Sequence, residues 1–255
     1  MMTLSTHQST SPDGGPLARA ARLGVWALPV WAALLCLGTI TEQPPWQTKP
    51  AAWSRFVTTS EFLASHLVGS ILGAAIGALG MVALGAVLAR RGHTAIGLAT
   101  MMTGVVANVL TASGFGVAAF AQPALGRNYL AHPNAQAYQL IKTAANGGPL
   151  FAMIITAGLL LIASAVIAGV GVARTRPLPR TAGIGFAVTM ALFVLLQTVD
   201  TGPWQAIAGA LMTACTAWIA IAASRHDAPA PAGAGDTIPA AAHAGAQHDG
   251  LAGAR

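Results

Sequence analysis

Charge is scarce in this sequence. Of its 255 residues only 8% are Asp, Glu, Lys or Arg, against about 25% in a soluble domain. So few polar side chains cannot cover a water-facing surface, which excludes a soluble globular protein. Acids are scarcest, seven in all, and none falls in the middle of an apolar stretch. The buried carboxylate relay of an ion-coupled pump is therefore missing. There are two cysteines, Cys36 and Cys215, both within apolar stretches and without a CxxC spacing. They read as small buried hydrophobes rather than a disulfide framework. No GxSxG, HExxH, Walker loop or GxGxxG in a strand–turn–helix setting occurs. No catalytic residue is assigned, and an enzyme is disfavoured.

Apolar sequence fills the chain instead. Hydrophobic residues make up 55% of it, gathered in continuous runs rather than in short alternating stretches, which favours helices over a transmembrane barrel. A bilayer core about 30 Å thick takes roughly 20 helical residues to cross. The runs place spans near 24–41, 61–89, 94–121, 149–173, 181–199 and 203–224. The expected fold class is all-α: a polytopic transmembrane bundle of about six spans over 24–224. Residues 1–23 and 225–255 are expected as disordered cytoplasmic tails, rich in Ser, Gly, Pro and Ala and without an apolar face. Arg19 and Arg22 before the first run resemble a signal peptide, but no small-x-small site follows Ile40, so the first helix is expected to stay.

The formal charge of +6 reads as an orientation signal and an attraction to anionic lipid, not as a nucleic-acid footprint. With the N-terminus inside, nine basic residues fall on the cytoplasmic side (Arg19, Arg22, Arg90, Arg91, Arg174, Arg176, Arg180, Arg225, Arg255) and four outside (Lys49, Arg55, Arg127, Lys142). The expected location is a cell membrane, with both termini in the cytoplasm. Two longer outer segments follow, about 42–60 and 122–148, the second with a short helix near 134–145 closed by Asn146-Gly147-Gly148-Pro149.

Polar and small residues inside the spans are the functional clues. In span two, Gly69, Gly73, Gly77 and Gly80 make a helix-packing face, and His66 and Ser70 fall on nearly the same stripe. His66 is an ionisable group at membrane depth, chemically able to ligate haem or a metal or to relay a proton; a satisfied structural histidine is the plainer reading. Any metal site would rest on His66, and no cofactor is otherwise implied. Asn108 is the intramembrane amide of span three. Asp200, in a very short turn before Pro203, reads as a cap or a cation ligand. The topology allows Glu61, His66, Arg127, Tyr129 and Asp200 to form an outer polar cluster. These clues lead to a small permease for an apolar or weakly polar solute. Two alternatives stand beside it: a non-catalytic scaffold that meets a second copy or a membrane partner through the glycine face, and a haem- or metal-binding protein using His66. The bilayer is the partner common to all three.

Overall fold

The computed structural model describes residues 15–39, 43–197 and 203–225. Its elements are α1 (Pro16–Gly24), α2 (Ala27–Gly38), α3 (Pro50–Val57), α4 (Ser60–Ala64), a π-helical stretch (Ser65–Leu72), α5 (Gly73–Arg90), α6 (Thr94–Ala131), α7 (Ala135–Leu140), a second π stretch (Ile141–Ala145), α8 (Gly148–Arg174), α9 (Arg180–Leu196) and α10 (Trp204–Arg225). Among the described residues there is no strand. Five helical stretches are long and apolar enough to cross a membrane: Pro16–Gly38, Ser60–Arg90, Thr94–Ala131, Ala135–Arg174 and Trp204–Arg225. The sixth apolar helix, Arg180–Leu196, has 17 residues, about 25 Å at 1.5 Å per residue. About six spans therefore describes the bundle.

The helices close into a ring. α2 packs on α5, α5 on α6, α6 on α8, α8 on α9, α9 on α10, and α10 returns to α2. Short turns join α5 to α6 and α8 to α9, and these turns, with the free ends of α1 and α10, carry Arg90, Arg91, Arg174, Arg176, Arg180 and Arg225. We call this the arginine end. The interior of that half is filled by Leu28, Trp31, Met81, Leu84, Phe186 and Met212, all essentially inaccessible. A smaller apolar cluster at the other end joins Trp53, Val57, Phe62, Ala118 and Ile141. Large side chains also cover the outer surface: Met102, Phe120, Phe151 and Leu159 are each more than 60% exposed, the pattern of helices whose outside is lipid.

Several boundaries differ from those the sequence suggests. Within the expected tail 1–23, residues from Pro16 onward are helical and Ala18 is buried; residues 1–14 and 226–255 of the two expected tails lie outside the described residues. The first span breaks at Val25–Trp26 because Pro29 has no N–H for the Val25 carbonyl and its ring crowds that oxygen; Leu28 N–H takes that carbonyl instead, at 3.0 Å. The third span does not stop at 121. α6 runs 38 residues through Pro123 to Ala131, about 57 Å and far more than a bilayer core needs. Its projecting part is held by α3: a methyl at Gly126 would stand 2.7 Å from Val57 Cγ2 and 2.9 Å from the Ser54 carbonyl. The segment expected as an outer loop is thus largely helical. Asn134 caps the next helix by accepting the Ala137 N–H at 2.9 Å.

Candidate functional site

The half of the ring opposite the arginine end is hollow. A cavity of about 950 Å³ lies within the ring and is lined from α2, α6, α8, α9 and α10 and from the π stretch that leads into α5. Gln43, Pro44, Pro45 and Lys49 of the segment after α2, and Gln197, are part of its lining. Leu110, Phe115, Leu150, Ile154, Leu161 and Phe193 make the apolar wall. Among them stand neutral hydrogen-bonding groups: His66, Ser70, Thr111, Gln122, Asn146 and Gln205. No carboxylate lines the cavity among the described residues. Mixed, concave linings of this size suit small organic ligands, whose sites run to roughly 300–1,000 Å³.

Each polar group is placed by a local feature. Thr59 caps α4 by accepting the Phe62 N–H at 3.2 Å. One turn later the Phe62 carbonyl is taken by side chains: Ser65 Oγ donates to it at 2.9 Å and His66 Nδ1 lies 2.9 Å from it. Side-chain donors competing for a main-chain carbonyl loosen the regular ladder, and the wider π turns begin at Ser65. A π turn takes more residues than an α turn and so rotates less per residue, which separates His66 from the glycine stripe, and such turns recur at functional sites. The His66 ring stacks on Phe62 (centroids 4.1 Å apart, planes at 35°) and meets the edge of Phe115 at 5.7 Å. A carbonyl only accepts, so the contact with Phe62 fixes the proton on Nδ1 and leaves Nε2 as an acceptor.

The inward face of α6 continues the polar theme past the cavity floor. Its buried residues include Gly97, Thr100, Gly104, Asn108, Thr111 and Gln122, and none of its buried apolar residues is larger than alanine. At 100° per residue Thr100, Asn108 and Gln122 fall within an arc of about 80° and span about 33 Å of axis. Each keeps a buried polar atom with no hydrogen-bond partner: Thr100 Oγ1, Asn108 Oδ1 and Gln122 Oε1. Asn108 Nδ2 donates back to the Gly104 carbonyl at 2.8 Å, so only its oxygen is unmatched. Trp31 Nε1, on the facing helix α2, is also buried and unmatched. Both Trp31 and Asn108 border Gly77, whose ideal Cβ would lie 2.7 Å from Asn108 Oδ1 and 2.7 Å from Trp31 Cδ2.

The expected outer cluster does not assemble as one site. Of its described members His66 alone lines the cavity. Glu61 sits exposed in the first turn of α4, Arg127 is exposed on the projecting part of α6, and Tyr129 packs on the Trp53–Phe62–Ile141 cluster. Asp200 lies outside the described residues. Sequence spacing placed these groups at one end of the bundle but could not fix which way α6 faces beyond the membrane. The glycine face meets the protein's own α2: ideal Cβ atoms at Gly69, Gly73 and Gly80 would approach the Leu34 carbonyl at 3.1 Å, Leu34 Cβ at 3.5 Å and Leu28 Cδ2 at 2.8 Å. Within the chain that face is therefore packed against α2. Among the described residues no three His, Cys, Asp or Glu side chains gather in one place.

Sequence reasoning missed Gln122, Gln205, Asn146 and Thr100. Gln122 precedes a proline in what reads as a loop, and only the continuation of α6 puts it on the inner face. Comparison with known proteins adds no family to this geometry: no protein-family model, no curated protein and no solved structure matches the chain.

Proposed function

We propose that this chain is a small membrane permease that takes up a neutral, apolar or weakly polar solute in its axial cavity. In this reading it sits in a cell membrane with the arginine end and both termini in the cytoplasm, as the concentration of arginine at one end favours. The carrying observation is that Gln122, whose Oε1 is buried without a partner, belongs to the lining of the cavity. A buried acceptor without a partner costs about 1–3 kcal/mol, and a solute N–H or O–H, or water ahead of it, supplies the missing donor. The apolar wall takes the rest of the solute. Among the described residues the lining holds no carboxylate and Lys49 is its one permanently charged side chain, so a cation would leave water without a counter-charge, and the apolar wall with its amide and hydroxyl groups favours neutral molecules. Below the floor, Asn108 Oδ1 and Thr100 Oγ1 continue the line of acceptors toward the arginine end, and Trp31 and Met81 close the path.

The test is solute flux into proteoliposomes over a panel of neutral solutes, with Gln122→Leu and Asn108→Leu alongside the native chain. Losing one hydrogen bond to the moving solute, about 1–1.5 kcal/mol, lowers flux about tenfold. Absence of flux across the panel, or the same flux in both variants as in the native protein, refutes the reading.

A further inference from the structure

A second concavity, about 500 Å³, lies on the outer surface between α8 and α9 at the arginine end. Val166 and Val170 of α8 and Ile184 and Val188 of α9 line it, each between 39% and 52% exposed. Gly169 keeps its floor low, since a methyl there would meet Ala187 Cβ at 3.2 Å. The spacing is regular on both helices. Val166, Val170 and Arg174 recur every four residues on α8, and Arg180, Ile184 and Val188 do so on α9. Residues four apart share a helix face. The two helices run in opposite directions through a short turn, so Arg174 and Arg180 stand at the same end of one apolar trough about 12 Å long.

Among the described residues no acid offsets the charge at that end. Both arginines are exposed, and among the described residues neither has an ion pair. Glu61 is the only acid described, at the opposite end of the bundle. The first turn of α9 has no capping side chain, so its amides add partial positive charge beside Arg180. Two guanidinium groups at the membrane surface, at the head of a trough of aliphatic side chains, match a phosphate joined to an acyl chain. We infer that the α8–α9 groove binds an anionic phospholipid, with its phosphate between Arg174 and Arg180 and an acyl chain along Val166, Val170, Ile184 and Val188. This site is separate from the axial cavity and does not depend on the permease reading.

The test is native mass spectrometry of the detergent-purified full chain, titrated with phosphatidylglycerol and with phosphatidylcholine of the same acyl chains. An arginine near a charged lipid surface contributes about fivefold in binding. The double variant Arg174→Gln/Arg180→Gln should therefore lose roughly 25-fold of the preference for phosphatidylglycerol. Arg19→Gln/Arg225→Gln, with the same change in net charge, should keep it, and inorganic phosphate should not displace the lipid. Equal retention of the two lipids by the native chain, equal loss in the control variant, or displacement by phosphate would each overturn the inference. A phosphatidylglycerol with a photoreactive acyl chain gives a readout on the native protein that does not require the variants to fold. Crosslinks concentrated on the four wall residues support the groove, and crosslinks spread evenly over the lipid-facing side chains refute it.

Discussion

Gly73 and Gly77 stand one turn apart on the same face of α5, yet alanine should be tolerated at one and not at the other. At Gly73 the nearest atom to a new methyl is Leu34 Cβ at 3.5 Å, an ordinary contact. At Gly77 the methyl would come within 2.7 Å of Asn108 Oδ1 and within 2.7–2.8 Å of two ring carbons of Trp31. Neither neighbour can retreat easily. Trp31 and Asn108 are each 1% exposed, and Asn108 is tied to the Gly104 carbonyl. The helix-propensity gain from Gly to Ala is common to both variants and cancels in their difference. What remains is overpacking, about 1–3 kcal/mol, and contact with two fixed groups places Gly77→Ala in the upper half of that range. Thermal unfolding in one detergent should then place Gly77→Ala roughly 4–12 °C below Gly73→Ala, at about 2–4 °C per kcal/mol for a chain of this size. Equal midpoints, or a Gly77→Ala protein more stable than Gly73→Ala, would show that Trp31 and Asn108 do not close on α5 as described.

Three other outcomes follow from the same packing. Gln122→Leu removes an unmatched buried acceptor and should leave thermal stability unchanged or raise it by up to about 1 kcal/mol; a large loss of stability would mean that Gln122 has a structural partner. His66→Phe should hold stability within about 1 kcal/mol because the stack on Phe62 and Phe115 survives, whereas His66→Ala should lose at least that stacking term, about 0.5–1.5 kcal/mol; the opposite order in a denaturation series would sink the stacking account. A cysteine introduced at Lys49 should react with a membrane-impermeant maleimide in intact cells, and one at Arg91 or Arg176 should not; reaction at either arginine site would invert the topology.

The helical bundle is legible in the sequence because its cause is composition. Apolar runs of membrane length, separated by arginine-bearing turns, leave little choice. The ends of the helices were less legible. Nothing local announces that α6 continues through Pro123, since that continuation depends on α3 lying against Gly126. Periodicity also put His66 and the glycines on one stripe by assuming 3.6 residues per turn throughout. The wider turns from Ser65 to Leu72 break that assumption. They leave Gly69, Gly73, Gly77 and Gly80 against α2 and carry His66 to Phe115 and the cavity. The hint lay in the residues themselves, because Ser65 and His66 are both able to take the Phe62 carbonyl from the ladder. Contact across the ring, on which the cavity rests, has no signature in a single chain read along its length.

The arrangement of α6 bears on why the cavity exists. In lipid there is no hydrophobic force to drive large apolar side chains inward, because the surroundings are as apolar as the interior. Accordingly Leu98, Met102, Val106, Val109 and Phe120 of α6 point outward, each 45–68% exposed. Small inward residues alone would let the neighbouring helices close on α6, and at Gly104 they do, with a methyl there only 2.6 Å from Met81 Cβ. Farther along the same face Leu110, Thr111, Gly114, Ala118 and Gln122 line the cavity instead. The ring therefore closes in the arginine half and spreads in the other, with polar side chains where it spreads. Leucine at Gln122 would satisfy lipid-like packing at no hydrogen-bonding cost, whereas glutamine leaves an acceptor waiting. Of the three unmatched acceptors on α6 only Gln122 belongs to a residue that lines the open half of the ring, whereas Asn108 and Thr100 lie below the cavity floor, where Trp31 and Met81 fill the interior.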